Sequence, residues 1–295
     1  GLLIFSKKSA PKVEIVVHGS KRLTLDAGCE EYPTFHPDGK RIVYDADIGG
    51  DYEIVMRDLE AGTVTQITHD KGWDYAAALS PGGTRVAYIH EDPATRTLRV
   101  RDLEGKAPPK DLGASVGYPA WSADGSVLLG DSAGRILKRD VATGKDTVMG
   151  QLPAGARLYH MVEITGHGIA IEWWTSSDND ATSLGELDPD GTLRVVEETA
   201  TEYEGGLAAT AGMTGYFAAR KGATEGNELI PYGKAVLDGR ARFGVLVCGT
   251  CWVPVHLDGS GGVWTSLVLP PDVLGSSPEL RRDNFNQTCR LRAMS

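Results

Sequence analysis

Carboxylates and aromatic rings recur side by side in this sequence, each group standing just ahead of an apolar stretch. Glu30 and Glu31, Asp74 and Tyr75, Tyr118, Tyr159 and His160, Glu204 beside Tyr203, and Trp252 return at intervals of a little over 40 residues. Acids such as Asp45, Asp47, Asp51, Glu91, Asp92 and Asp131 fall in the intervening loops. Carboxylates beside π faces suit a cation. A desolvated cation–ring contact is worth about 2 kcal/mol and an exposed one ~0.5–1 kcal/mol. The carboxylates add on-rate and salt sensitivity more than affinity. A basic peptide, a small amine or a metal cation fits this set. Polar loops that merely carry solvated acids account for part of it.

Sharper chemical signals are few. Gly113-Ala-Ser115-Val-Gly117 matches GxSxG, but that motif works as a strand-to-helix elbow and no helix pattern follows it here. His36 and His256 share a column just before a turn, where Ser80, Ser122 and Thr165 stand in other copies, so both read as strand-end residues with local hydrogen bonds. Asp178-Asn-Asp180 resembles the start of a calcium loop, but Ser183 stands where the loop needs glycine. His160, with Glu31, Asp74 and Glu204 around it, is the best acid–base or divalent-metal candidate. No cofactor is otherwise expected.

The elements that must position these residues are repeats. Tyr32–Tyr44, read YPTFHPDGKRIVY, is an apolar strand, a Pro-Asp-Gly turn and a second apolar strand. Its turn glycine Gly39 has counterparts at Gly83, Gly125, Gly168, Gly212 and Gly259, spaced 44, 42, 43, 44 and 47 residues apart. Four residues before each anchor stand Phe35, Leu79, Trp121, Ile164, Ala208 and Val255. Five residues after it stand Tyr44, Tyr88, Gly130, Trp173, Phe217 and Trp264. RDLEAG, RDLEG and RDVATG supply a second hairpin per unit. Four short strands at a period in the 40s are the signature of propeller blades. The expected fold is therefore all-β: a six-bladed β-propeller of four-stranded antiparallel blades. RLTLDAGCEEYP aligns without gaps on QITHDKGWDYAA, so Val13–Val17 and Arg22–Leu25 are expected to complete the last blade, begun by 251–256 and 262–268. Residues 1–12 form a tail or the end of a membrane segment, 13–269 the propeller, and 270–295 an extension, either an added strand or a cover on one face.

Composition narrows the partners. At 295 residues with a net charge of −10, the chain is poorly suited to nucleic-acid backbones. No apolar run reaches the ~20 residues that cross a bilayer, so any membrane tether is expected outside this chain. A monomer is expected. Cys29, Cys248, Cys251 and Cys289 leave disulfide, free-thiol and metal or redox roles open. A bridge from Cys29 to Cys248 or Cys251 is geometrically feasible, because neighbouring units bring those entrances together.

HPDGKRIVY, SPGGTRVAY and SADGSVLLG, each followed by an RDL-type hairpin, resemble TolB-like propeller repeats. The Leu23–Asp45 block is similar to propellers that bacterial serine/threonine kinases hold outside the membrane. No kinase motif is present. The resemblance implies an extracytoplasmic sensor or interaction module with a protein or peptide partner, and not an enzyme. The alternative is a lactonase-like or cyclase-like hydrolase or lyase with a metal in the channel. The expected binding residues are Glu30, Glu31, Asp74, Tyr75, Tyr118, Tyr159, His160, Glu204 and Trp252.

Overall fold

The computed structural model describes residues 20–22, 30–105, 107–174, 182–198, 207–209, 215–221, 227–233, 243–247, 255–257, 263–264 and 290–294. After β1 (Ser20–Arg22), four complete antiparallel blades follow in chain order. Blade one is β2 (Glu30–Phe35), β3 (Arg41–Asp47), β4 (Tyr52–Asp58) and β5 (Val64–Gln66). Blade two is β6 (Trp73–Leu79), β7 (Arg85–Glu91), β8 (Arg96–Asp102) and β9 (Lys110–Ala114). Blade three is β10 (Val116–Trp121), β11 (Val127–Gly130), β12 (Arg135–Arg139) and β13 (Asp146–Gln151). Blade four is β14 (Arg157–Ile164), β15 (Gly168–Trp174), β16 (Thr182–Leu187) and β17 (Leu193–Glu198). A three-stranded sheet follows, β18 (Leu207–Ala209), β19 (Gly215–Lys221) and β20 (Asn227–Gly233). Then come β21 (Phe243–Val247), the pair β22 (Val255–Leu257) and β23 (Val263–Trp264), and β24 (Arg290–Met294).

The Pro-Asp-Gly turns form for local reasons. Gly39, Gly83 and Gly125 adopt φ of +68°, +68° and +83°, and their amides donate back to the carbonyls of His36, Ser80 and Ser122. Asp38 Oδ1 accepts the amides of Lys40 and Arg41 at 2.8 and 3.2 Å. This is the side-chain-to-backbone bonding that makes Asp a turn residue. His36 bonds Gly83 O at 3.0 Å, so it ties one blade's turn to the next, where its column had suggested local hydrogen bonds.

Blades stack face on face, and each interface is an apolar cluster. Val43 and Ile54 of blade one meet Leu79, Val86 and Tyr88 of blade two. Ile89 and Leu98 of blade two meet Trp121, Val127 and Leu129 of blade three. Leu128 and Ile136 of blade three meet Leu158, Ile171 and Trp173 of blade four. Ile164, Ala170 and Leu184 continue to Leu207 of β18. The aromatic column is buried at Tyr44, Tyr88 and Trp173. Its break at Gly130 has a cause: a Cβ there would lie 2.8 Å from both Leu158 Cδ2 and Val116 O.

Closure differs from the expectation. β1 pairs with β24 (Ser20↔Met294, Arg22↔Arg292), not with β23, the described part of the 262–268 segment, and β24 pairs on its other side with β21. The C-terminal strand therefore fills the place between them, giving both neighbours' backbone groups a partner. β24 lies within the 270–295 segment. Among the described residues, four blades are complete.

Candidate functional site

The innermost strands β2, β6, β10 and β14 share a device that the repeat did not reveal. Each is bulged against its neighbour: between Glu31 and Thr34, Tyr75 and Ala78, Val116 and Ala120, and Leu158 and His160. A bulge re-aims side chains and is over-represented beside functional sites. Tyr32 and Ala76, equivalent positions 44 residues apart, take φ of +46° and +57° there. That conformation is rare for non-glycine residues and costs on the order of 1–3 kcal/mol each.

The bulges gather rings from three blades at one end of the channel. Tyr32 and Tyr118 have centroids 4.8 Å apart and hydroxyls 2.6 Å apart, although 86 residues separate them. Tyr118 continues to Tyr159 at 5.4 Å and His160 at 4.9 Å. Tyr159 packs on His160 at 3.9 Å and on Trp174 at 4.7 Å. Beneath the rings, His160 Nδ1 lies 3.5 Å from Glu172 Oε2, and Glu172 Oε1 accepts the Thr182 hydroxyl at 2.9 Å. The Glu172 side chain is fully buried, whereas that of His160 retains 12% exposure. A carboxylate facing one ring nitrogen orients an imidazole, a placement that general acid–base histidines share.

A second acid–histidine pair lies deeper. Asp74 Oδ1 and His90 Nδ1 are 2.6 Å apart, facing each other across β6 and β7, and both residues are buried. Next to it the Thr68 hydroxyl donates to Glu53 Oε2 at 2.5 Å and accepts the Ile54 amide at 2.8 Å. Burial pushes the Asp74 carboxyl up, against the opposing pull of His90. Burial pushes Glu53 up to about 7; the carboxylates of Asp74, Asp51 and Asp70 add to this and the Thr68 bond opposes it. Closed from solvent, this network serves blade cohesion.

The Glu53 shift makes a testable prediction. Its folded value lies above the ordinary 4.5, so the folded state keeps a proton that the unfolded chain has lost. Stability from this group is therefore greatest below about pH 4.5, falls as pH rises, and is fully lost above about 7. Glu53→Gln should unfold at higher urea than wild type at pH 8, by about 2 kcal/mol after allowing for solvent screening. At pH 4.5 the gap should close. A gap equal at both pH values would show an unshifted carboxyl.

The expected binding residues separate by depth. Tyr118 and His160 meet at the mouth, with Tyr159 buried against them. Glu30 and Asp74 are buried below it, and Tyr75 turns aside to donate to Glu91 at 2.5 Å, with Arg96 Nε 3.0 Å from its hydroxyl. The Glu31 backbone pairs with Asp45, and its side chain lies outside the described residues, as do Glu204, Trp252, all four cysteines and Asp178–Asp180. Several loop acids prove to be local caps. Asp47 accepts the Gly50 amide, Asp92 those of Ala94 and Thr95, and Asp131 pairs with Arg135. Ser115 of the GxSxG match is buried between β9 and β10, with its carbonyl held by Arg96. Tyr32, Trp174, Glu172, Glu53 and His90 were missed. Among the described residues, no group of three or more His, Cys, Asp or Glu side chains is arranged to hold a metal.

No family model matches the chain, and no curated protein does. Solved structures do. TolB from Acinetobacter baumannii superposes with a TM-score of 0.56 at 18% identity, over 70% of this chain and 55% of that one. The chain thus spans about half the length of that protein. A putative TolB from Agrobacterium tumefaciens gives 0.51 at 15%, over 59% and 67%. A puromycin hydrolase complexed with PGG gives 0.53 at 17%, over 76% of this chain and 37% of that one.

These findings correct one expectation. The chain was expected not to be an enzyme, on the strength of a TolB-like resemblance and the lack of a catalytic constellation. A hydrolase has the same fold at the same level of likeness, so the fold does not separate the two classes. The His160–Glu172 pair, invisible in the repeat, sets an imidazole 3.5 Å from a buried carboxylate. The exclusion of catalysis is overturned. By fold, this chain is a β-propeller, similar to those of TolB and of a puromycin hydrolase.

Proposed function

We propose that the channel mouth binds a cationic ligand, a small amine or a basic peptide, and that His160 carries out proton transfer on it in a hydrolytic or lytic reaction. The observation that carries this reading is His160 itself, stacked on Tyr118 and Tyr159 with Nδ1 facing buried Glu172. In the hydrolytic case, water adds to the scissile carbonyl and His160 takes its proton. Glu172 stabilises the imidazolium, and the proton passes to the leaving amine. Tyr118 and Trp174 hold the cation by their π faces, with buried Tyr159 packed behind them. His90 has a shorter bond to its acid but no solvent access, so it is not the reacting group. The reading assumes a ring of six blades and a location outside the cytoplasm, as the TolB-like resemblance implies. Among the described residues no helix is long and apolar enough to cross a membrane.

Arginine p-nitroanilide tests it, with released p-nitroaniline as the readout. Positioned acid–base catalysis contributes roughly 100-fold or more. His160→Gln should therefore lower kcat by about that factor with KM nearly unchanged, whereas Tyr118→Ala should chiefly raise KM. Equal turnover by wild type and His160→Gln, or no turnover by wild type, would overturn the catalytic assignment.

A further inference from the structure

The same face of the disc carries a second feature, outside the channel, between blades one and two. Trp73 opens β6 half exposed (50%), and Ile48 in the turn before β4 is 44% exposed. Tyr52 stands edge-on to Trp73, with ring centroids 5.9 Å apart at 69°. The other exposed large apolar side chains of the described residues are valines, Val64, Val148, Val195 and Val196, whereas here an exposed indole is braced by a tyrosine, which marks a contact surface.

Carboxylates ring this patch. Asp47 pairs in register with Tyr52, and Glu91 with Trp73. Asp51 Oδ2 accepts the Gly72 amide at 3.3 Å, which fixes the turn of blade one against the entry to blade two. Asp92 follows Glu91, and its amide bonds hold it below the usual carboxylate range. Nearby cations are already engaged: Arg99 with Asp70 at 2.9 Å, and Arg96 with the Tyr75 hydroxyl. Lys71 alone adds positive charge in the loop that carries Trp73. An aromatic pair inside an acidic rim is complementary to a lysine- or arginine-bearing chain, whose alkyl stem packs on the indole while its head meets the carboxylates.

The geometry points to this patch as the docking site for a basic peptide segment of a partner protein, with Trp73 as its anchor. The inference is independent of the channel-mouth reading, since it rests on residues other than His160 and its stack.

Fluorescence anisotropy of fluorescein-labelled octa-arginine, at low and at moderate salt, tests it on the full chain. Trp73→Ala should weaken binding about tenfold, as loss of an interface anchor does. Trp73→Phe, which keeps a ring, should stay within about threefold. Asp92→Asn should weaken binding less than Trp73→Ala and flatten its salt dependence. Glu60→Gln, at the opposite face, should bind like wild type. Unchanged binding by Trp73→Ala would overturn the site. So would a loss in Glu60→Gln equal to that in Asp92→Asn, because attraction would then follow net charge alone. Equal binding of labelled octaglutamate would overturn it as well. A loss in His160→Gln with Trp73→Ala unaffected would move the basic peptide to the channel, leaving the mouth reading intact.

Discussion

Gly168→Ala should be among the most destabilising single-methyl additions in this chain. A Cβ at Gly168 would lie 2.0 Å from Leu187 O and 3.0 Å from Leu187 C, and φ there is +131°, where side chains rarely fit. The obstruction is backbone, at the register pair Ile169↔Leu187 that begins the β15–β16 ladder, so no rotamer relieves it. Moving Leu187 would also disturb a buried member of the blade three–four core. The expected cost is about 3 kcal/mol or more, combining conformational strain with lost packing. Gly39→Ala is the matched control. It sits at the equivalent anchor with φ +68° but meets nothing within 4 Å. Only the backbone term remains, about 1 kcal/mol. Thermal unfolding should show a Tm loss of roughly 10 °C for Gly168→Ala against about 3 °C for Gly39→Ala. Equal losses would mean that the β15–β16 approach is looser than described.

Asp74→Ala should cost a similar amount for a different reason. It removes the carboxylate that pairs with His90 Nδ1 in a place without solvent, leaving a buried polar group stranded. Breaking a buried pair by deleting one member costs roughly 3–5 kcal/mol. Asp74→Asn keeps an acceptor and should cost about 1 kcal/mol. The double change Asp74→Ala with His90→Leu should recover part of the single-mutant loss, since no polar group is then left unpaired. Urea unfolding of the three variants checks the order. If Asp74→Asn is as damaging as Asp74→Ala, the charge and not the hydrogen bond holds the two strands.

Much of this fold is written in the turns. Asp38 and Gly39 act through their own backbone, so the anchor period was readable, and with it the buried columns of Phe35, Leu79 and Trp121 and of Tyr44 and Tyr88. The site was less legible because its partners lie on different strands. His160 was visible as a channel residue. Glu172, 12 residues later on β15, read as one polar residue in the apolar run GIAIEWW. Asp45 was assigned to a loop because acids usually are, yet it lies fully buried on β3. Tyr32 stood inside the signature stretch itself. Its reach to Tyr118 depends on a bulge and a positive φ, which neither composition nor period encodes. Ring closure was misplaced because the gap-free match of the N-terminal stretch to blade one specifies a strand, not its neighbour. β24 proved to be that neighbour.

The claim that the channel mouth is the working face is tested most directly by the imidazole resonances of the intact protein as arginine amide is added. Three histidines sit in three distinct places. His160 is at the mouth, His90 is buried beneath it, and His36 is at the turns of the opposite face. Assignment follows from single substitutions such as His160→Gln. The account predicts a saturable shift of the His160 signals with those of His36 and His90 unmoved. A shift at His36 with His160 silent would contradict it.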